Sequence, residues 1–425
     1  MEFQNTAEFA AQLDQDDKLF SFKDKFHNPK RDGKEAIYFC GNSLGLQPKL
    51  TAHYLEEELA AWQELAVEAH FKSRRPWLGY HGQFKESLAA LVGAFPEEVV
   101  AMNNLTTNLH LMMVSFYKPT REKFKIITEA GAFPSDMYAL ESQVRFHNLD
   151  PDNAIIELKP RQGEHTLRTE DIIKTIERNS LEVALILMGG VQYYTGQFFD
   201  LKSITQAAHK VGAFAGFDLA HAIGNVPLLL HDWDVDFAVW CSYKYLNGSP
   251  GGTGGAFIHD NHGRNNQLPR FAGWWGYIEK ERFKMEKGFK PTAGADGWQL
   301  SNAPILSMAA LRASLEIFDQ AKIDNIREKS IALTGYLQYL IQKINVEKRV
   351  INVITPADPS ARGCQLSLMM SENGNDIFES LSKNGVVADW REPDVIRVAP
   401  VPLYNTFSEV FQFGCVLKDA LKINK

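Results

Sequence analysis

The sequence predicts an α/β protein with a large domain, a mostly parallel sheet covered by helices, and a smaller α+β domain. From about residue 100, short and nearly continuous apolar runs alternate with amphipathic stretches, a pattern typical of a parallel sheet with helices on both faces. The chain has 425 residues, 45% of them hydrophobic, enough for one large core or two unequal ones. A long helical stretch at Ile305–Ala321 leads into a segment with a different order of elements.

The elements of the large domain follow from the spacing of apolar residues. The predicted strands are Lys125–Thr128, Val183–Met188, Ala213–Phe217, Phe237–Trp240 and Gly255–Ile258. The predicted helices between them are Ser135–His147, Thr169–Asn179 and Lys202–Val211. Nearer the N-terminus we expect a strand at Ala36–Cys40, a turn after it, and an amphipathic helix at Thr51–Val67.

The smaller domain is predicted from the C-terminal segment. It contains helices near 328–345 and 376–384, a strand at Val395–Val398, and a final helix near 407–422. We expect the N-terminal residues to pack onto it. The predicted division is therefore a large domain at 66–310 and a small domain formed by 1–65 together with 311–425.

Charge and cysteine content exclude several classes of function. The net charge is −7 and the basic residues are scattered, which argues against nucleic acid or an anionic membrane as a partner. No apolar stretch is long enough for a bilayer span, and the N-terminus resembles neither a signal nor a transit peptide. The four cysteines lie far apart, so we predict neither disulfides nor a metal site. A cytoplasmic enzyme acting on a small molecule is expected.

The strongest chemical signal is an aspartate and a lysine at the ends of neighbouring strands. Asp218 ends one predicted strand and Lys244 follows the next, and ligands of open α/β sheets bind beyond the carboxyl ends of strands. The pair suits pyridoxal chemistry, because a lysine amine condenses with the cofactor aldehyde while a carboxylate keeps the pyridine nitrogen protonated. An ordinary salt bridge or a solvated loop lysine explains the same two residues. His221 either contacts this site or is a packing residue.

Two helix starts offer the remaining parts of such a site. Thr106 and Thr107 precede an apolar run, where hydroxyls and free backbone N–H groups bind phosphate. The run Phe133-Pro134-Ser135-Asp136 offers an aromatic ring for stacking and a carboxylate. Plain helix capping accounts for either segment when it is read alone.

Six short motifs together resemble the kynureninase family. They are YFCGNSLG at 38–45, VQYYTGQ at 191–197, FDLAHA at 217–222, WCSYKYLN at 240–247, GWWG at 273–276 and LSN at 300–302. The resemblance extends from about residue 36 to residue 405. It implies the aspartate-aminotransferase-like fold (fold type I), with a seven-stranded type of sheet, pyridoxal 5'-phosphate as cofactor, and a homodimer with shared active sites.

The resemblance also implies a role for each site residue. Lys244 forms the Schiff base and moves protons at the substrate α-carbon, Asp218 pairs with the pyridine nitrogen, and Arg397 clamps the α-carboxylate. The other residues implied around the cofactor are Leu105, Thr106, Phe133, Pro134, Ser135, Asp136, Gly189, His221, Tyr243, Trp274 and Asn302. Phe133 stacks on the ring, and the partner subunit supplies Trp274 and Asn302. Gly189 is a departure, because the family pattern has a serine there.

The implied reaction is hydrolysis of the Cβ–Cγ bond of L-kynurenine or 3-hydroxykynurenine to alanine and an anthranilate, in tryptophan catabolism and NAD biosynthesis. Tyr243 either transfers protons at the carbonyl and β-carbon or only hydrogen-bonds the phosphate. The residues His70, Ser301 and Asn302 resemble the residue set of those family members that prefer the 3-hydroxy substrate, which implies the same preference here.

Three alternatives remain open on the sequence. A cysteine desulfurase of the same fold needs a mobile cysteine, for which Cys364 is the nearest candidate, and an aminotransferase needs a keto acid acceptor. A catalytically silent binding subunit is the third. The joint presence of Lys244, Asp218 and Arg397 argues against it.

Overall fold

A seven-stranded sheet forms the centre of the protein in a computed structural model, which describes residues 2–422. Its strands are β1 (Val99–Ala101), β2 (Lys125–Glu129), β3 (Ile155–Leu158), β4 (Val183–Gly189), β5 (Phe214–Asp218), β6 (Phe237–Trp240) and β7 (Gly255–Ile258). They lie in the order β1-β7-β6-β5-β4-β2-β3. The pairs from β6 to β3 are parallel, and β7 runs antiparallel to both of its neighbours.

The apolar strands of this sheet are buried on both faces. Ile127 and Trp240 point to one core, whereas their neighbours Ile126 and Val239 point to the other. Side chains alternate between the faces of a strand, so a strand covered on both sides must be apolar at nearly every position. This requirement explains the continuous apolar runs in the sequence.

Helices cover both faces of the sheet and connect its strands. The longer helices before residue 322 are α1 (Ala7–Asp16), which packs against a second sheet described below, and α2 (Thr51–Leu65), α3 (Lys85–Val92), α4 (Leu105–Phe116), α5 (Pro134–Phe146), α6 (Thr169–Arg178), α7 (Leu201–Lys210) and α8 (Ile305–Ala321). Asn104 caps α4 by accepting the N–H of Thr107, and Pro134 begins α5. Both helices therefore start with free backbone N–H groups just beyond β1 and β2.

A second, antiparallel sheet has its own core. Its strands are β8 (Ile351–Val353), β9 (Leu366–Met370), β10 (Asp389–Arg391) and β11 (Val395–Val398), in the order β8-β9-β11-β10. Helices α9 (Ile323–Glu347), α10 (Gly374–Lys383) and α11 (Phe407–Ala420) pack against it. Helix α1 joins this core, and Asp14 accepts the backbone N–H groups of Phe407 and Ser408. The division at 66–310 remains our proposal for the domain boundaries.

The structure confirms the predicted fold class, and it differs from the sequence prediction in several elements. Strands β1, β3, β8, β9 and β10 were not predicted. The predicted strand at Ala36–Cys40 is wrong in extent, since only Ile37–Tyr38 pairs as a strand, with Val386–Val387, and Cys40 forms a single bridge. Within residues 2–422 every helix is too short or too polar to cross a bilayer.

Candidate active site

A cavity lies beyond the carboxyl ends of the parallel strands, where Asp218 ends β5 and the chain continues from β6 to Lys244. The parallel register pairs Asp218 with Gly189 of β4 and with Val239 of β6, which brings the three strand ends together. The residues that line the cavity are Leu105, Thr106, Glu129, Phe133, Ser135, Asp136, Gly189, Val191, Tyr193, Asp218, Ala220, His221, Tyr243 and Lys244. Ten of the sequence-predicted residues are among them, and Pro134 begins the helix that carries Ser135 and Asp136.

Lys244 faces a buried histidine across this cavity. Its Nζ atom lies 3.0 Å from Nε2 of His221 and 5.6 Å from the centre of the Phe133 ring. Burial lowers the pKa of His221 well below its usual 6.5, and the nearby charge of Lys244 lowers it further. The imidazole is therefore neutral, so Nε2 accepts a hydrogen bond from the lysine amine.

Two carboxyl groups share the floor of the cavity. Burial raises the pKa of Asp136 well above 3.8, and the charge of Asp218 raises it further. Asp218 accepts the N–H of Ala220 at 2.7 Å. Burial raises the pKa of Asp218 too, whereas its hydrogen bond with Asp136 and the charge of Lys244 lower it. The pair therefore holds its proton on Asp136, and Asp218 carries the negative charge near Lys244.

The starts of α4 and α5 converge at one end of the cavity. The hydroxyl oxygens of Thr106 and Ser135 lie 3.0 Å apart, each in the first turn of its helix. Two helix N-termini and two hydroxyls form a site for a phosphate group.

These residues fit pyridoxal phosphate. Asp136 Oδ1 and His221 Nδ1 are buried and have no hydrogen-bond partner among residues 2–422, although buried polar atoms usually have one. The cavity also offers a lysine amine, an ionised carboxylate, an aromatic ring and an anion site. A phosphorylated pyridine aldehyde uses all four.

The solved structures to which the chain is similar define its class. A cysteine desulfurase from Thermococcus onnurineus NA1 has a TM-score of 0.75 and 17% identity, with 91% of this chain and 95% of that chain covered. A C-DES mutant with glycine covalently linked to its PLP cofactor has a TM-score of 0.74 and 16% identity, covering 90% and 96%. The chain thus has the fold of type I pyridoxal-phosphate enzymes.

Sequence comparison gives the family. The model of the kynureninase C-terminal domain matches residues 326–417. The kynureninase of Flavobacterium psychrophilum is 53% identical over 425 residues, 100% of both chains, and that of Myxococcus xanthus is 54% identical over 412 residues, 97% and 96% of the two chains. The chain belongs to the kynureninase family. This membership confirms the predicted resemblance, the hydrolase class and the pyridoxal phosphate cofactor.

Four predicted residues lie away from this cavity in the described chain. His70 packs edge-on against Trp77 on a short helix, and Trp274 is 44% exposed. Ser301 and Asn302 are exposed and line a second cavity of about 330 Å³, together with Asn103, Asn104 and Thr253.

Arg397 is also outside the cavity lining. It lies on β11 of the small sheet with a side chain only 1% exposed, 5.8 Å from the Tyr193 ring. Its guanidinium is bound by Asp389, Ser43 and the carbonyl oxygen of Tyr193.

Sequence analysis missed Glu129 and Tyr193, which line the cavity. Glu129 ends β2 and accepts the N–H of Gly189 at 3.1 Å. Burial raises its pKa to about 7, and the charge of Asp218 contributes. The rule that selected Asp218, a carboxylate directly after a buried strand, also selects Glu129. Tyr193 lies in a loop, within a motif to which no role was given.

Proposed function

We propose that this chain is a kynureninase that hydrolyses the Cβ–Cγ bond of L-kynurenine or 3-hydroxy-L-kynurenine, giving alanine and the corresponding anthranilate. The observation that carries the proposal is the grouping of Lys244, His221, Asp218 and Asp136 in one cavity beside two helix N-termini. Identities above 50% with kynureninases over the full chain support the same substrate class.

Several residues of the cavity have a role toward the cofactor. When bound, pyridoxal phosphate supplies an aldehyde for covalent attachment and an aromatic ring that withdraws electrons from the substrate α-carbon. Thr106, Ser135 and their helix N-termini would hold the phosphate, and Phe133 would stack on the ring. Asp218 would keep the pyridine nitrogen protonated, and protonated Asp136 donates a hydrogen bond within the carboxyl pair.

Lys244 and Tyr243 handle the protons of the reaction. Lys244 provides the amine that attaches the cofactor and takes the α-proton, and neutral His221 accepts a hydrogen bond that orients this amine. Burial raises the pKa of Tyr243, so its phenol is protonated at neutral pH. Tyr243 is the candidate that donates a proton at the substrate carbonyl, and a hydrogen bond to the phosphate is compatible with that role.

A homodimer with shared active sites is the proposed assembly. His70, Trp274, Ser301 and Asn302 do not reach Lys244 in their own subunit, and three of the four are exposed. We infer that they complete the site of a partner subunit. Mixing inactive Lys244→Ala with inactive Asn302→Ala protein should restore part of the activity if sites are shared, and none if each site is built from one chain.

The preference for 3-hydroxykynurenine is a finer proposal that rests on His70, Ser301 and Asn302. A polar site that hydrogen-bonds a ring hydroxyl discriminates against the analogue without it. His70→Phe should therefore lower kcat/KM for 3-hydroxykynurenine more than for kynurenine. Equal specificity constants for the two substrates, unchanged by His70→Phe, would contradict the preference.

The second candidate is a cysteine desulfurase, which the solved structures of similar fold favour. That activity needs a thiol that reaches the substrate, but none of the cysteines lines the cavity, and Cys364 is buried beside Tyr245 with its pKa raised to about 12 by burial. Product analysis with the holoenzyme decides between the two. Alanine plus an anthranilate from kynurenine supports kynureninase, whereas alanine from cysteine without kynurenine cleavage supports the desulfurase.

The physiological setting is proposed from the reaction alone. Cleavage of kynurenine serves tryptophan catabolism, and cleavage of 3-hydroxykynurenine supplies a precursor for NAD biosynthesis, both in the cytoplasm. Accumulation of the matching substrate after deletion of the gene, measured in the producing organism, would identify which pathway the enzyme serves.

A further inference from the structure

Asp389 lies directly opposite Arg397 in the small sheet. The antiparallel register of β10 and β11 pairs the two residues. The Nε and Nη2 atoms of Arg397 lie 3.0 Å and 2.9 Å from the two carboxylate oxygens of Asp389. This two-point contact is the geometry in which an arginine recognises a free carboxylate.

The remaining donors of Arg397 are directed at protein groups as well. Nη1 donates to the carbonyl oxygen of Tyr193 at 2.7 Å, and Nη2 also reaches the Ser43 hydroxyl at 3.3 Å. Because the side chain is only 1% exposed, no edge of the guanidinium is open to an incoming ligand. A substrate carboxylate therefore has to displace one of these partners.

We propose that Asp389 occupies the place of the substrate α-carboxylate on Arg397, so that the two carboxylates compete for one guanidinium. The inference rests on the proposed function and on the role that the kynureninase resemblance implies for Arg397, which is to bind that carboxylate. Asp389 thereby acts as a positioning residue: it holds Arg397 in place before the substrate arrives and lowers the affinity for the substrate.

Arg391 gives the displaced aspartate a second partner. Its Nε and Nη2 atoms lie 2.8 Å and 3.2 Å from Asp389, and its side chain is 36% exposed. Asp389 can therefore leave Arg397 without becoming an uncompensated buried charge, which would be costly.

The net charge of Arg391, Arg397 and Asp389 suits the binding of one carboxylate. Both guanidinium groups lie within 6 Å of the Tyr193 ring, which lines the active-site cavity. Burial raises the pKa of Asp389, but hydrogen bonds and charge from Arg397 outweigh it, and the net direction is downward. Two arginines and one ionised aspartate carry a charge of +1, which one substrate carboxylate neutralises.

The test compares two ligands on the holoenzyme, with dissociation constants read from the cofactor absorbance. L-Alanine carries the α-carboxylate, and L-alaninol has an alcohol in its place. Asp389→Asn should tighten L-alanine binding by about three- to tenfold, since a partly buried pair no longer has to be broken. L-Alaninol should bind unchanged, and KM for kynurenine should fall with kcat preserved.

Control variants separate competition from other effects. Glu392→Gln removes an exposed negative charge from the same hairpin and should leave both ligands unaffected. Should Asp389→Asn fail to fold, Ser43→Ala removes a hydrogen bond that holds the aspartate (2.8 Å) and should also tighten L-alanine.

Two outcomes overturn the inference in distinguishable ways. Equal or weaker L-alanine binding in Asp389→Asn means that Asp389 only orients Arg397. Unchanged L-alanine binding in Arg397→Lys means that Arg397 does not bind the carboxylate, and then the proposed function of Arg397 itself fails.

Discussion

The Nζ atom of Lys244 lies 3.0 Å from Nε2 of His221, a buried imidazole that stays neutral because burial lowers its pKa. The two residues belong to segments that follow neighbouring parallel strands, β5 and β6. A neutral histidine can accept a hydrogen bond from the lysine amine, and a protonated one cannot. The contact therefore fixes the direction of the amine toward the cavity.

Loss of this contact should weaken attachment of the cofactor. His221→Phe removes the group that orients the amine, and it also removes Nδ1, a buried polar atom that has no partner among residues 2–422 and is available to the cofactor. The dissociation constant for pyridoxal phosphate should therefore rise by about tenfold or more. Titration of the apoprotein, followed by absorbance of the lysine-bound cofactor, measures the change. His27→Phe, at an exposed position, is the control and should bind as the wild type does. Unaltered affinity in His221→Phe would show that the histidine only packs.

The two aspartates of the cavity should respond differently to the same substitution. Asp136 holds a proton, so Asp136→Asn keeps a hydrogen-bond donor and should lower kcat by no more than about threefold. Asp218→Asn removes the negative charge that would keep the pyridine nitrogen of the bound cofactor protonated, and it should lower kcat by about a hundredfold or more. Steady-state kinetics of the two variants with kynurenine measures both effects. Equal losses would mean that the proton does not reside on Asp136.

Glu129 should make the stability of the cofactor-free protein depend on pH. Burial raises its pKa from 4.5 to about 7, so the folded protein binds this proton more tightly than the unfolded chain. The stabilising contribution is complete below pH 4.5 and is lost as pH rises through about 7.

Glu129→Gln removes this pH dependence. Relative to the wild type, the variant should gain unfolding free energy between pH 4.5 and 7, by an amount on the order of 1–3 kcal/mol. Urea unfolding across this pH range measures the difference. The variant Glu157→Gln, at an exposed neighbouring position, should show no such trend. A difference in unfolding free energy between Glu129→Gln and the wild type that does not change with pH would refute the raised pKa of Glu129.

Gly189 and Gly190 should differ in their tolerance of serine. A Cβ atom at Gly189 lies 3.1 Å from Glu129 Oε1, a contact that a small shift relieves. A Cβ atom at Gly190 lies 2.7 Å and 2.9 Å from side-chain carbons of Leu219 and Ala222. Gly189→Ser should therefore keep its unfolding free energy within about 1 kcal/mol, whereas Gly190→Ser should lose about 1–3 kcal/mol. Denaturant unfolding measures both, and the reverse order would contradict the packing argument.

Much of the site could be predicted because its residues follow buried strands. Asp218 and Lys244 were identified from two apolar runs, and Thr106 and Ser135 from helix starts, all of which are local signals. Glu129 follows the predicted strand Lys125–Thr128 in the same way as Asp218 follows Ala213–Phe217, so the same rule could have identified it. No local signal identified Asp389, since β10 has three residues and its partner Arg397 is known only from the sheet register.

The sequence by itself determined the fold class, the family and the chemical type of the site, because apolar periodicity and short motifs are properties of neighbouring residues. Tertiary structure decided which side chains meet. It placed the carboxylate of Glu129 on the N–H of Gly189 and paired Arg397 with Asp389, and it left His70, Trp274, Ser301 and Asn302 outside the cavity. Such contacts depend on strand order, register and burial. These arise from packing between segments far apart in the chain, so no window of the sequence contains them.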